Sequence, residues 1–176
     1  MNSKYAQINQ VAIITTGGTI AKTYDGERLI NQNIVIDKIL DDLQLPYLKF
    51  DLISQLNLDS RDFKDSHRLI IAKKTLSKVK KNIPVIITHG TDTMVKTGKF
   101  IKKYFKEKKV EISQPIVLTG SILPYSVKKS DAQQNLTEAL LAIKILTAGI
   151  YIVFHNQVFP INNVRKNYKL KTFSSL

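Results

Sequence analysis

The chain has 176 residues, of which 43% are hydrophobic and 23% are charged, a balance typical of one globular domain with its own apolar core. It contains no cysteine, which excludes a disulfide framework, a zinc-thiolate site, an iron–sulfur cluster and a cysteine nucleophile. The 27 basic and 14 acidic residues give a formal net charge of +13, which favours an anionic partner such as a nucleic acid. Only four of these basic residues are arginines, the side chain best suited to reading bases and phosphates, so we do not expect nucleic-acid binding.

No targeting or membrane segment is expected from the sequence. The first ten residues are mostly polar and lack the apolar segment of a secretory signal. The most apolar stretch, 139–154, is interrupted by Lys144 and Gly149 and is shorter than the roughly 20 residues of a membrane helix. A chain without cysteine is compatible with a reducing compartment, and we expect a cytoplasmic protein.

Short apolar runs alternate with segments of helical periodicity. The runs predict five strands, at 11–15, 48–53, 84–88, 115–119 and 150–154. The periodic segments predict four helices, at about 34–43, 67–81, 93–105 and 132–148, with Gly149 ending the last. We interpret 22–32 as a mobile loop and 162–176 as a polar, basic tail. The alternation predicts an α/β fold, a three-layer parallel sheet with helices on both faces that is Rossmann-like or flavodoxin-like.

Three of the predicted strands end in turns that combine glycine with hydroxyl side chains, at 16–19, 88–92 and 119–121. In parallel sheets ligands bind at the carboxyl ends of the strands, near a switch in strand order, so we expect these turns to share one edge. Glycine lets backbone N–H groups approach a ligand, and a helix N-terminus attracts anions. Neither of the two common phosphate-binding glycine motifs is complete, which argues against a nucleotide.

Thr19 and Thr91 occupy equivalent positions after the first and third predicted strands. A threonine hydroxyl is a poor nucleophile unless a neighbouring base takes its proton, and Asp92 together with a lysine would form such a proton-transfer chain. The alternative is structural, because threonine and aspartate are common helix caps and Thr91 or Asp92 would then only cap the third predicted helix.

The histidines do not point to a metal. His67, His89 and His155 are widely dispersed along the chain, and we expect His89 to support its turn and the other two to be structural. The sequence therefore predicts neither a metal nor another cofactor.

Three stretches together resemble the asparaginase/glutaminase family of the bacterial two-threonine type. They are 16–21 (TGGTIA), 88–94 (THGTDTM) and 115–136, and the second is the most specific. Their order and spacing argue against a chance match, and the resemblance covers nearly the whole chain. It implies the N-terminal α/β domain of those enzymes, so we predict that 1–176 forms a single domain and that the C-terminal domain of the long enzymes is absent.

The resemblance implies a role for each residue that matches the family's motifs. Thr19 corresponds to the threonine nucleophile that attacks the side-chain amide, and Thr91 corresponds to the second catalytic threonine. Asp92 is implied in catalysis and in holding the α-ammonium group of the substrate. Ser60 matches the serine that binds the α-carboxylate, and Lys166 falls where the family keeps its catalytic lysine.

Other candidate positions match less closely. Tyr24 lies five residues after Thr19, where the family carries an activating tyrosine on a longer loop, and the alternative is an exposed loop aromatic. Arg61 stands where the long enzymes usually place a glutamine, and it would either pair with a substrate carboxylate or point to solvent. Gly18 and Gly90 are expected to contact the substrate and to offer backbone N–H groups to an oxyanion.

The resemblance implies an amidohydrolase that converts L-asparagine to L-aspartate and ammonia through a threonine-linked acyl-enzyme. The expected partners are the substrate, L-asparagine or L-glutamine, and further copies of the chain in a homo-oligomer. Two alternatives stay open. One is a non-catalytic amino-acid-binding or degenerate relative, and the other is a component related to a tRNA-dependent amidotransferase, which only the positive charge favours.

Overall fold

A computed structural model describes residues 8–25, 28–31 and 34–176, with the backbone alone at 24, 25 and 28–31. In chain order the strands are β1 (Gln10–Gly17), β2 (Lys22–Asp25), β3 (Arg28–Asn31), β4 (Lys49–Leu58), β5 (Val85–Thr88), β6 (Pro115–Thr119), β7 (Gly149–Phe154), β8 (Gln157–Pro160), β9 (Arg165–Asn167) and β10 (Thr172–Ser174). The helices are α1 (Ile34–Asp41), α2 (Asp65–Val79), α3 (Met94–Glu107) and α4 (Ala132–Ile145), with short 3-10 helices at Thr19–Ala21 and Ser60–Asp62. Among the described residues, no helix is long and apolar enough to cross a membrane.

Six strands form the main sheet of the described chain, in the order β4-β1-β5-β6-β7-β8. The neighbours from β4 to β7 are all parallel, and only the edge strand β8 runs antiparallel to β7. Parallel neighbours need crossover connections, and the helices supply them. The predicted α/β class is therefore confirmed, with an additional antiparallel strand at one edge.

Alternate residues of β1 face opposite sides of the sheet and belong to two separate cores. Val11 and Ile13 pack in one cluster with residues of α1 and α4. Ala12 and Ile14 pack in the other with residues of α2 and α3. Because a strand turns successive side chains to opposite faces, a run that is apolar at every position must be covered on both. The result is the expected three-layer arrangement.

The switch in strand order lies at β1, since the chain passes from β1 to β4 on one side and later to β5 on the other. The carboxyl ends of β4, β1, β5 and β6 therefore lie side by side. The turn after β1 packs tightly here. Gly17 has a φ of +95°, and a Cβ on it would lie 2.5 Å from the backbone nitrogen of Leu58. Gly18 has a φ of +79°, and a Cβ on it would collide with the backbone of Gly90. Both positions require glycine.

The structure corrects the sequence interpretation in several segments. The predicted loop at 22–32 contains an antiparallel hairpin of β2 and β3, and the predicted tail contains the hairpin of β9 and β10. The helix α4 ends at Ile145, because Leu146 is already extended, and Gly149 begins β7 instead of stopping the helix. Strand β8 was not predicted, because Phe159 is its one buried side chain and such a strand has no apolar alternation to detect.

Candidate active site

Lys166 connects two groups that lie far from it in sequence. Its Nζ donates hydrogen bonds to Thr91 Oγ1 at 2.5 Å and to Asp92 Oδ1 at 2.6 Å. The lysine side chain is only 12% exposed, and its Nζ also lies 5.2 Å from the centre of the Tyr168 ring. Hydrogen bonds between charged groups in a partly desolvated place are among the stronger ones. The structure thus joins three of the predicted catalytic residues in one hydrogen-bonded chain.

The turn after β5 is held by its neighbours and not by capping of α3. The backbone nitrogen of His89 donates to the carbonyl of Thr119 at 2.8 Å, which ties the turn to the end of β6. The residue before α3 is Thr93, and its hydroxyl donates to the carbonyl of Ser60 at 2.7 Å instead of capping the helix. Thr91 and Asp92 are therefore not the helix caps of the structural alternative, and their side chains face Lys166.

The β9–β10 hairpin places Lys166 against this turn. Lys166 pairs with Phe173 of β10, and the ring of Phe173 is buried edge-on against Phe154, with 5.2 Å between ring centres. Beside it, the hydroxyl of Thr172 lies 3.1 Å from His155 Nδ1. A short hairpin is marginal alone, so the aromatic contact and the histidine provide its attachment to the core.

Asp131 organises the loop after β6 and reaches the same histidine. Its carboxylate accepts hydrogen bonds at 2.9 Å from the backbone nitrogens of Ile122 and Leu123 and from the Asn135 amide. It also lies 2.9 Å from His155 Nε2. His155 thereby links the β9–β10 hairpin to the loop after β6, and both segments contribute walls to the cavity described next.

A cavity of about 210 Å³ opens at this edge of the sheet. Its walls come from three turns and from the β9–β10 hairpin, and its lining residues are Thr19, Thr91, Asp92, Ser121, Ile122, Lys166, Tyr168 and Lys171. Thr19 is half-buried, and its hydroxyl forms no hydrogen bond with another residue that the structure describes. Pockets for drug-sized ligands start at about 300 Å³, so this one suits a smaller metabolite.

Ser60 is a second group without a partner in the described structure. The residue is 1% exposed, and its Oγ has no hydrogen-bond partner among the described residues. A buried hydroxyl left unpaired costs roughly 1–3 kcal/mol, which a polar ligand atom would recover. Gly90 lies directly against it, because a Cβ at position 90 would be 2.6 Å from Ser60 Oγ. Ser60 is therefore a candidate ligand contact beside the threonine-rich turn.

Replacing Gly90 by alanine is expected to disturb this contact more than the fold. The added methyl group must displace the Ser60 side chain, with a cost of about 1–3 kcal/mol for overpacking. We expect a weaker apparent affinity for the substrate, measured as a raised KM. Gly98→Ala on α3 is the matched control, because its methyl group would press on Ile161 instead. An equal KM increase in both variants would contradict a role for the Gly90–Ser60 contact.

Arg61 is paired on two sides although its side chain is 71% exposed. Its Nε and Nη2 donate to the two carboxylate oxygens of Asp59 at 3.1 and 3.0 Å, and its backbone nitrogen donates to the same carboxylate. These bonds, foremost the side-chain bond from Arg61, lower the pKa of Asp59 to about 2. Arg61 Nε also lies 3.7 Å from Asp92 Oδ2. Of the two alternatives for Arg61, the structure thus shows neither a free side chain in solvent nor a pairing yet tested with substrate.

His89 is a fully buried, neutral ring. Its Nδ1 lies 2.7 Å from the carbonyl of Gly90, and its Nε2 lies 2.8 Å from Thr97 Oγ1. Burial lowers its pKa to about 4, and the nearby Arg68 charge acts in the same direction. The ring fixes the turn to α3, which agrees with the supporting role that the sequence indicates.

The buried histidine makes stability depend on pH. Unfolded, the ring has a pKa of about 6.5, so on acidification the unfolded chain takes up the proton first. The contribution of His89 is therefore complete above pH 6.5 and is lost as the pH falls towards the folded pKa of about 4. We expect the free energy of unfolding to drop by about 3 kcal/mol over that range. NMR titration of the His89 ring checks this, and protonation of the folded protein near pH 6.5 would contradict it.

Two sets of site residues remain to be accounted for. The side chain of Tyr24 lies outside the described residues, so its predicted role is untested, and its backbone pairs with Leu29 in the β2–β3 hairpin. Sequence reasoning missed Tyr168 and Lys171, which lie between β9 and β10 and reach the cavity only because that hairpin folds back. No group of acidic and histidine residues that could hold a metal ion occurs within the described part of the chain.

The fold and this edge define an α/β protein in which threonine-rich turns and a buried lysine meet at the switch point of a parallel sheet. The chain belongs to the asparaginase family, since residues 10–176 match the family model "Asparaginase, N-terminal". The family resemblance predicted from the three sequence stretches is therefore confirmed.

Individual relatives agree with this assignment. The chain is 32% identical over 166 residues to an L-asparaginase of Bacillus licheniformis, covering 89% of this chain and 49% of the relative. It is 26% identical over 179 residues to a glutamyl-tRNA(Gln) amidotransferase subunit of Methanococcus vannielii, covering 98% and 40%. The solved thermostable L-asparaginase from Thermococcus kodakarensis superimposes with a TM-score of 0.83 at 26% identity, covering 95% and 51%. The chain thus spans about half the length, or less, of these relatives.

Proposed function

We propose that this protein is an amidohydrolase that converts L-asparagine to L-aspartate and ammonia, with Thr19 as the nucleophile. The observation that carries the proposal is the contact of Lys166 with both Thr91 and Asp92, in a cavity that Thr19 also lines. A hydroxyl, an adjacent second hydroxyl, a lysine and a carboxylate are the components that nucleophilic catalysis by threonine requires.

The proposed reaction has two halves. Thr19 Oγ attacks the amide carbon while its proton passes into the chain of Thr91, Lys166 and Asp92. Backbone N–H groups of the glycine turns at Gly18 and Gly90 stabilise the oxyanion, and the amide nitrogen takes a proton and leaves as ammonia. Water then attacks the ester on Thr19, releases aspartate and restores the hydroxyl. Lys166 must be without its ammonium proton when it accepts one.

The substrate would be held by charges and by one buried hydroxyl. Ser60 Oγ, which is buried and unpaired among the described residues, would donate to the α-carboxylate. The Oδ2 atom of Asp92 faces away from Lys166, which is bonded to Oδ1, and would accept from the α-ammonium group. These contacts would place the side-chain amide near Thr19, where fixing the reacting atoms lowers the barrier.

Ammonia release from L-asparagine, L-glutamine and D-asparagine is the first test, with the Thr19→Ala protein measured in parallel. Turnover by the wild-type protein and none by the variant would support the proposal and rank the substrates. A folded protein that releases no ammonia from any of the three would contradict it. If L-asparagine then still raised the melting temperature, the protein would be a non-catalytic amino-acid-binding relative.

A second candidate is a component related to tRNA-dependent amidotransferases. One relative carries that name, and the basic residues of this chain are concentrated, with 13 of the 27 lying between 65 and 109 against three of the 14 acidic residues. That segment contains α2 and α3, whose lysines give one side of the molecule a strong positive field. Retention of tRNA at low salt and its release at high salt would favour this candidate.

We also propose that 1–176 folds as one domain and acts in the cytoplasm as a homo-oligomer. The sequence without cysteine supports the reducing compartment, and the continuous sheet from β4 to β8 supports the single domain. Light scattering of the purified protein tests the oligomeric state, and a mass equal to one chain would contradict it.

A further inference from the structure

We propose that Arg61 determines substrate specificity by allowing the site to accept ω-amides that carry an α-carboxylate but no α-ammonium group. This inference rests on the proposed amidohydrolase function. It names the part of the substrate that this chain reads differently, and its argument comes from the charges around Asp92.

Arg61 occupies a defined position. It follows Ser60 in the 3-10 helix that begins after β4, and Asp59 accepts both its backbone N–H and its guanidinium. A bidentate guanidinium–carboxylate pair fixes orientation as well as charge. Lys22 adds a further cation 3.8 Å from the same Asp59 carboxylate. The guanidinium is thereby held beside the buried Ser60 hydroxyl that would bind the substrate carboxylate.

Asp92 already has a cation at each carboxylate oxygen. Lys166 Nζ lies 2.6 Å from Oδ1, and Arg61 Nε lies 3.7 Å from Oδ2. The α-ammonium group of asparagine would approach Oδ2 as a third cation on one carboxylate. It would have to displace Arg61 or accept repulsion from it, and like charges at such distances oppose binding even at the protein surface. An amide without an ammonium group leaves the Arg61–Asp92 pair intact.

The surrounding charges favour the same class of ligand. Four cationic side chains lie at or near the cavity and two carboxylates face them; the cations are Lys22, Arg61, Lys166 and Lys171, and the carboxylates are Asp59 and Asp92. Asparagine is a neutral zwitterion, whereas succinamate has the same carbon skeleton, amide and carboxylate with a net charge of −1. Complementary charge favours the anion.

The test compares succinamate with L-asparagine in the wild-type protein and in Arg61→Gln. We expect the ratio of kcat/KM for succinamate to kcat/KM for asparagine to fall by about fivefold in the variant, the size of one partly exposed ion pair. Arg61→Lys keeps the charge but not the planar fork, and its ratio is expected to lie between the two. Lys103→Gln on α3 removes one charge at an exposed site outside the cavity and controls for net charge, so its ratio is expected to match the wild type.

A ratio unchanged in Arg61→Gln would overturn the inference even if asparagine is hydrolysed. Dissociation constants of both compounds, measured by calorimetry on the same proteins, separate this result from a failure of the proposed function. If no ammonia is released but the ratio of the two affinities shifts with Arg61→Gln, the specificity inference stands and hydrolysis falls. If the affinity ratio does not shift, or neither compound binds, the inference is wrong.

Discussion

Ammonia release from L-asparagine is expected to fall by about 10⁴-fold or more when Thr19 is replaced by alanine. If Thr19 forms the acyl-enzyme, no other step can proceed without its hydroxyl, and loss of a nucleophile commonly removes most of the rate enhancement. The fold should tolerate the change, because Thr19 is half-buried and its hydroxyl has no hydrogen-bond partner among the described residues. The measurement is kcat, together with the melting temperature of both proteins.

Thr19→Ser is the matched variant for this prediction. It retains a hydroxyl at the same position, so part of the activity should return while alanine stays inactive. Wild-type turnover in Thr19→Ala, at an unchanged melting temperature, would exclude Thr19 as the nucleophile. Thr91, which Lys166 contacts directly, would then become the next residue to test in the same way.

The sheet was accessible to sequence reasoning because its strands are buried on both faces. In β1, Val11 to Ile14 are apolar without interruption, and this pattern is unambiguous when a glycine turn follows. The hairpins of β2–β3 and β9–β10 gave no such signal. In β9 and β10 only Phe173 is buried, so pairing there depends on contacts with Phe154 and His155 that lie elsewhere in the chain.

The candidate site divides in the same way. Gly18 and Gly90 could be identified from motifs, because a close approach of two turns demands glycine whatever surrounds it. The partners of Arg61 could not be identified, since its contact with Asp92 depends on two turns from β4 and β5 meeting at the sheet edge. Tyr168 likewise becomes a wall of the cavity only once the hairpin carrying Lys166 has docked.

Replacing Lys166 by methionine is expected to lower kcat by about 10²–10⁴-fold, the usual contribution of a positioned proton-transfer group. Methionine retains much of the apolar stem but donates no proton and leaves Thr91 and Asp92 without the bonds at 2.5 and 2.6 Å. The hairpin should stay docked, because Phe173 remains buried against the core. We therefore expect a loss of turnover with a small change in melting temperature.

Lys169→Met separates this effect from the loss of one charge near the cavity. Lys169 is exposed in the turn of the same hairpin and is not part of the cavity lining, so its replacement removes the same charge without touching the chain of hydrogen bonds. A proton-transfer role predicts that Lys166→Met also alters the dependence of kcat on pH, whereas a purely structural role would lower the melting temperature and leave the pH profile of the remaining folded protein unchanged. Equal activity of the two methionine variants would mean that the contacts of Lys166 with Thr91 and Asp92 serve the fold of the hairpin and not the reaction.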